Sequence, residues 1–387
     1  MRLLDVTPRS YAWGSTTAIP NLLGVPPTGE PQAELWLGCH PADPARVADG
    51  GTLLECIDAD PDTELGPALV HEYGPRLPFL LKVLAAGSPL SLQAHPAPAR
   101  ARAGYDEEER AGVPLDAPER RYKDPYAKPE LLCALTAFDV VAGFRLGADS
   151  ARLLEQLDVP ELKPYVHKLA DDGVQETFTA LLKLPDDARI ELVEAVVRAC
   201  AGRSVPEFAT AAELDAAYPG DIGVVASLLL HRLTLQPGEA IYLPAGNLHA
   251  YLRGLGVEIM GNSDNVLRGG LTPKHVDVAE LLSVLDFTAG PPPLVTPHRV
   301  GGEEVYPTPA HEFRLSRLTV PSSPPAVLGS GHPQVLLCAS GQVVLRSGDD
   351  ELVLPQGRAA FVSAAEPPIR VTGDGLLFRA MPGPSQP

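Results

Sequence analysis

The segment "PLSLQAHP" (89–96) sets an amide and an imidazole, Gln93 and His95, two residues apart in the apolar run "LPFLLKVLAAGSPLSLQAHP". In a strand, residues i and i+2 project to one face, so the pair converges, and a metal ion is its simplest shared partner. For Gln-x-His taken alone, a buried polar pair satisfied by backbone is the plainer alternative. A second stretch, "PGEAIYLPAGNLHAY", orders Gly238, Pro244, Gly246 and His249 as turn, strand, turn and strand, which aims His249 inward. In a third, "YKDPYAKPELLCAL", Glu130 heads an apolar run, where a strand carries its carboxylate inward. Neutral nitrogen and amide donors hold a divalent ion well only beside an anionic ligand. Gln93, His95, Glu130 and His249 together form a mixed N/O set compatible with Zn²⁺, with room for water or substrate oxygens.

Positioning such a set requires strands. Up to about residue 140 the chain is a series of short apolar runs cut by Pro, Gly and Asp: "AELWLGCH", "ARVADGGTLLECI", "FLLKVLAA", "PLSLQAHP" and "ELLCALTAFDVVAGF". This texture predicts strands. From 148 to about 230 the apolar spacing becomes three and four residues, as in "DSARLLEQLDV", "VQETFTALLKL", "DARIELVEAVVRACAG" and "DIGVVASLLLHRL", which predicts helices. Asp187 is the expected N-cap of the clearest of them, with Gly202 beyond its end. Strand texture returns at "LQPGEAIYLPAGNLHAYL", and "AGPPPLVTP" (289–297) is a Pro-rich connector. The remainder reads as short strands joined by Gly turns, the pattern of a small antiparallel barrel or jelly roll. The expected division is a catalytic domain from 1–147 and 233–288, a helical insertion at 148–232, and a second barrel at 298–387.

A length of 387 residues calls for more than one domain, and 42 prolines favour short strands over long bundles. The net charge of −18 repels nucleic acid and anionic membranes, and no basic run offers a local exception. An anionic ligand therefore needs a local basic pocket. Five scattered cysteines without a CxxC read as buried thiols of a reducing compartment. "MRLLDVTPRSYAWGS" carries no signal-peptide core, and a cytoplasmic protein is expected.

The Gly238–His249 pattern resembles the second motif of the cupin superfamily. More specifically, "YAWGS", "AELWLGCHP", "PFLLKVLAAGSPLSLQAHP", "YKDPYAKPELLCAL", "YPGDIGVVASLLLHR" and "PGEAIYLPAGNLHAYLRGLGVEIMGNSDNVLRGGLTPKHVD" resemble the type I mannose-6-phosphate isomerases (phosphomannose isomerases) in order and spacing, from about Tyr11 to Asp277. The resemblance implies a mainly β fold, two cupin (jelly-roll) barrels with an α-helical insertion, and one Zn²⁺ per chain on Gln93, His95, Glu130 and His249. It places Lys82, Ser91, Tyr251, Asp264 and Lys274 around a sugar phosphate, and Arg268, Lys128 and Glu258 near the chemistry. It implies a monomer that interconverts mannose 6-phosphate and fructose 6-phosphate through an enediol(ate). Lys128 and Glu258 both stand as the proton-transferring base. One position departs from the family: the histidine that precedes Lys-Pro-Glu is Ala127 here, so ring opening needs another group, Lys128 and Tyr126 being nearest in sequence. A cupin oxygenase would use Fe²⁺ on a His-rich set, and a non-catalytic sugar-phosphate regulator would tolerate loss of the metal ligands. The second barrel carries Ser363 and Pro368 where the motif has Pro and His, which implies a structural role.

Overall fold

The computed structural model describes residues 1–48, 50–321 and 326–384. It is mainly β, with two ten-stranded antiparallel sheets among the described residues. The strand His249–Gly261 is the spine of the first sheet. Its C-terminal half lies between Phe79–Ala86 and Glu130–Ala134, with Val257 opposite Val83 and Cys133. Its N-terminal end lies between Leu92–Ala94 and Phe138–Phe144, with His249 opposite Gln93 and Ala142. One strand thus serves two pairs of partners, and it must bend between them. The register shifts between Tyr251 and Arg253, and Gly254 takes φ +135°. A Cβ at 254 would come within 2.7 Å of the Phe138 ring and 2.8 Å of the Ala137 carbonyl oxygen, so glycine is required at this corner. Glu34–Leu37, Ala240–Leu243, Leu230–Leu235 and Leu267–Gly270 extend the sheet outward. All eight residues of Phe79–Ala86 are buried, which explains an unbroken apolar run interrupted only by Lys82.

Several sequence expectations need correction. "TLLECI" is not a strand but the helix Leu53–Ala59, started by a capping box in which Thr52 and Glu55 exchange hydrogen bonds. The helices Asp186–Cys200, Gly147–Glu155 and Gly173–Leu182 form as the periodicity predicts. Asp187, however, is not an N-cap: Pro185 occupies that position, and Asp186 and Asp187 lie in the first turn, where the helix dipole favours acids. "DIGVVASLLLHRL" gives only the short helix Gly223–Ser227 before Leu230–Leu235 turns into a strand on Phe138–Phe144. Cross-strand pairing overrides a periodicity that a short apolar run cannot decide.

The second sheet contains short strands, as expected, such as Glu303–Tyr306, Asp350–Pro355 and Ala359–Val362, together with two long ones. Gln334–Ser347 and Ile369–Met381 run side by side. Gly348 and Gly357 make turns as expected, but Gly341, Gly373 and Gly375 lie within this ladder; Gly373, at φ +112°, would bring a Cβ to 2.4 Å from the Gln342 carbonyl oxygen. Arg2–Asp5 inserts between Ala359–Val362 and Arg46–Val47, so the first residues of the chain complete a sheet built mostly from its C-terminal part. A single apolar core, including Leu4, Phe79, Val257, Phe361 and Phe378, ties the two sheets together. Among the described residues, no helix is long and apolar enough to cross a membrane.

Candidate active site

His249 begins the spine strand and faces Gln93 across the ladder; Arg268 faces Gln93 from the other side. Directly opposed residues share a face of the sheet, so His249, Gln93 and Arg268 form one row. Glu130 enters from the strand it heads, between Met260 and Leu243. His95 lies one residue beyond Leu92–Ala94, so the convergence with Gln93 comes from the strand end rather than from within the strand. The outcome is a buried cluster: His95 Nε2 is 3.2 Å from Glu130 Oε1, His249 Nε2 is 3.3 Å from Glu130 Oε2, and Gln93 Nε2 is 3.4 Å from His249 Nε2.

The hydrogen bonds of this cluster leave a metal-shaped need. His95 Nδ1 donates to the Asn265 carbonyl at 2.7 Å and His249 Nδ1 to the Asn247 carbonyl at 3.1 Å. Each neutral imidazole then turns an Nε2 lone pair toward a carboxylate, and His95 Nε2 and Glu130 Oε2 are left with no hydrogen-bond partner among the described residues. Lone pairs crowded together without a proton are satisfied by a cation. A tetrahedral ion with ligands about 2.1 Å away spaces its donor atoms about 3.4 Å apart, close to the separations here. His95, Glu130 and His249 form a His/Glu group able to hold a metal, and turning the Gln93 amide presents Oε1 as the fourth donor. Burial holds His95 below its ordinary pKa, which keeps it a ligand. Burial works against the Glu130 carboxylate, but His95 and the Lys128 ammonium, at 3.3 Å, outweigh it and hold that carboxyl well below the usual range.

A second row runs Trp36, Lys82 and Glu258 across three adjacent strands. Lys82 Nζ lies 3.5 Å from Glu34 Oε1, 3.9 Å from Glu258 Oε2 and 4.8 Å from the Trp36 ring centroid, and the Trp36 indole N–H donates to Glu34 Oε2 at 2.8 Å. Burial disfavours the Lys82 ammonium, but Glu34 and Glu258 more than restore it, so its pKa is raised. Burial, with repulsion from Glu130, pushes Glu258 up to about 7 against the pull of Lys82. Tyr251 is buried beside His249, its ring 5.8 Å away. Burial and the nearby Glu258 push the Tyr251 hydroxyl well above its ordinary pKa.

The remaining expected residues lie further out. Arg268 is half-buried at the wall of a cavity of about 530 Å³ that Arg121, Val266 and His275 also line. No described residue pairs with its guanidinium, and burial lowers its pKa. Lys274 is exposed and lines a different cavity, with Asp221 and Thr272, although the positive charge of Arg268 depresses its pKa. Ser91 is half-buried next to the Gln93 strand. Asp264 meets His40 Nε2 at 3.4 Å. Ala127 is buried, and the neighbouring Tyr126 ring is covered by the Arg76 guanidinium, 3.3 Å from the ring centroid. Sequence reasoning missed Glu34, His40 and the Asn265 carbonyl. The signal available for Glu34 was a lone acid inside the buried run "AELWL".

Comparison with known proteins agrees with this geometry. Residues 1–146 match the model of the type I phosphomannose isomerase catalytic domain. The mannose-6-phosphate isomerase of Escherichia coli is 37% identical, over 98% of this chain and 99% of its own. The human mannose-6-phosphate isomerase is 32% identical, over 97% of each chain. Among solved structures, zinc-bound mannose 6-phosphate isomerase superposes with a TM-score of 0.93 at 35% identity, over 99% of each chain. The Salmonella typhimurium enzyme bound to its substrate and a zinc atom gives the same score and identity, over 99% of this chain and 100% of its own. Relatives alike over their full length, together with a His/Glu group able to hold the metal seen in solved relatives, place the chain in the mannose-6-phosphate isomerase family.

Proposed function

We propose that this protein is a zinc-dependent aldose–ketose isomerase that interconverts mannose 6-phosphate and fructose 6-phosphate through an enediol(ate), as a cytoplasmic monomer. The observation that carries the reading is the cluster of Gln93, His95, Glu130 and His249 with its unsatisfied lone pairs, set beside the buried Lys82, Lys128 and Glu258. A zinc ion held by these four side chains supplies Lewis-acid polarisation of an adjacent carbonyl. The chain's own groups do the rest. Glu258 or Lys128 moves the proton between C1 and C2, and Arg268 offers an uncommitted positive charge to the developing oxyanion or to the phosphate. Lys82, Ser91, Tyr251, Asp264 and Lys274 bind the sugar phosphate. We assign the metal site to a cupin barrel formed by 1–147 and 233–288, with 148–232 as the helical insertion and 298–387 as a barrel without metal ligands.

The direct test is a coupled assay with mannose 6-phosphate before and after chelation. Activity lost on chelation and restored by Zn²⁺ is the expected result; activity indifferent to both refutes the reading.

The two candidate bases separate by pH. If Glu258 is the base, its carboxylate is the working form, so kcat/KM falls as pH drops through the pKa of Glu258. That midpoint lies below about 7 in the loaded enzyme, because zinc offsets the Glu130 charge that raises it. Glu258→Gln then costs about 10²–10⁴-fold, the worth of a positioned base, and abolishes that acidic limb. A limb that persists in Glu258→Gln assigns the proton transfer to Lys128.

A further inference from the structure

Asp264 sits in the loop between His249–Gly261 and Leu267–Gly270, and this loop is laced to the segment that precedes Ala127. The Asp264 N–H donates to Asp124 Oδ2 at 2.8 Å, and the Ser263 hydroxyl and Asn265 amide donate to the Tyr126 carbonyl at 3.2 and 2.9 Å. The loop that carries this half-exposed carboxylate is therefore bound to the stretch where the resembling family's proton-transferring side chain is replaced by alanine.

His40 controls that carboxylate. It is buried, with its ring edge-on to Trp36 at 4.7 Å, and its Nδ1 accepts the Ala42 N–H at 3.2 Å. An Nδ1 used as an acceptor leaves the hydrogen on Nε2, and Asp264 Oδ1 lies 3.4 Å from that nitrogen. Both ring nitrogens are thus committed, so His40 is placed to orient and not to exchange protons. The same Trp36 ring lies under Lys82, which joins His40 to the buried lysine side of the pocket.

We propose that His40 is a positioning residue: it fixes the Asp264 carboxylate beside the lysines of the pocket, where that carboxylate accepts a hydrogen bond from a sugar hydroxyl. This deepens the isomerase reading and rests on it. His40 meets the Asp264 carboxylate directly, the positive charges of Lys82 and Lys128 act on it through space, and Asp124 accepts its backbone N–H. Burial opposes ionisation of Asp264, but His40 and the two lysines outweigh it, so its carboxyl lies below the usual range and stays an acceptor at neutral pH.

The test uses the zinc-loaded protein with His40→Ala, His40→Gln, Asp264→Asn and the His40→Ala/Asp264→Asn double variant. We expect His40→Ala to lower kcat/KM for mannose 6-phosphate about tenfold, the scale of a hydrogen bond to a charged group. The ¹³C titration midpoint of the Asp264 carboxyl should rise toward the ordinary aspartate range. His40→Gln, which keeps an N–H donor, should recover most of the loss, and His40→Ala should cost nothing further in the Asp264→Asn background. If His40→Ala fails to fold, His40→Gln with and without Asp264→Asn completes the cycle. An Asp264 midpoint that does not move, or a loss that persists undiminished in Asp264→Asn, overturns the proposal. A wild-type protein without isomerase activity overturns the functional reading instead, and the carboxyl titration still decides whether His40 controls Asp264.

Discussion

Replacing His249 with alanine removes the bound zinc and the isomerase activity together while leaving the fold in place. In the proposed site the imidazole is one of four donors, beside Glu130 Oε2 and His95 Nε2, which have no hydrogen-bond partner among the described residues. Its loss exceeds the ~10–100-fold cost of removing a mere hydrogen-bond partner of a metal ligand. The backbone of residue 249 is held in register by Gln93 and Ala142 on either side, and those ladder bonds do not depend on the side chain. Metal analysis should therefore give one zinc per wild-type chain and none for His249→Ala, with unchanged circular dichroism. Zinc should also raise the Tm of the wild type, because a ligand bound only by the folded state stabilises it, and leave that of His249→Ala alone. Stoichiometric zinc retained in the variant refutes the ligand set.

Arg268→Ala lowers kcat/KM by ~10² or more, the loss typical for one donor aimed at a developing oxyanion. Arg268 shares the metal face with Gln93 and His249, is half-buried, and has no acidic partner among the described residues, in a protein of net charge −18. A guanidinium left unpaired amid so many carboxylates is kept for an anion that arrives with the substrate. Since it makes no ion pair or hydrogen bond within the described chain, its removal should leave Tm essentially unchanged, so catalysis and stability separate cleanly. A kcat/KM close to that of the wild type would mean that Arg268 faces only solvent.

Ala127 keeps its interest after the structure. Of the two nearest groups, Tyr126 has its ring covered by Arg76, and Lys128 is committed to Glu130 at 3.3 Å. The loop that carries Asp264 is bound to Asp124 and Tyr126, beside Ala127, a proximity that sequence distance alone would never have shown.

What the sequence determined by itself was the chemistry of the centre. The residue types at Gln93, His95, Glu130 and His249 point to a zinc-type donor set, and Gly/Pro turn chemistry is a local property, whereas the convergence of His95 with Gln93 comes from the end of a strand that stops at Ala94. The helices Gly147–Glu155, Gly173–Leu182 and Asp186–Cys200 were legible because their apolar spacing is likewise local, whereas Lys163–Asp171 and Pro206–Ala217 were not singled out. What only the tertiary structure decided is everything that depends on register between distant strands: the row of His249, Gln93 and Arg268, the row of Trp36, Lys82 and Glu258, and the hold of His40 on Asp264. These contacts join segments far apart in the chain, and strand pairing carries no local signature of its partner. The same cause explains the misread elements. "LLLHRL" became a strand because Phe138–Phe144 offered it a ladder, and Gly373 became a point of close approach rather than a turn because Gln334–Ser347 runs beside it.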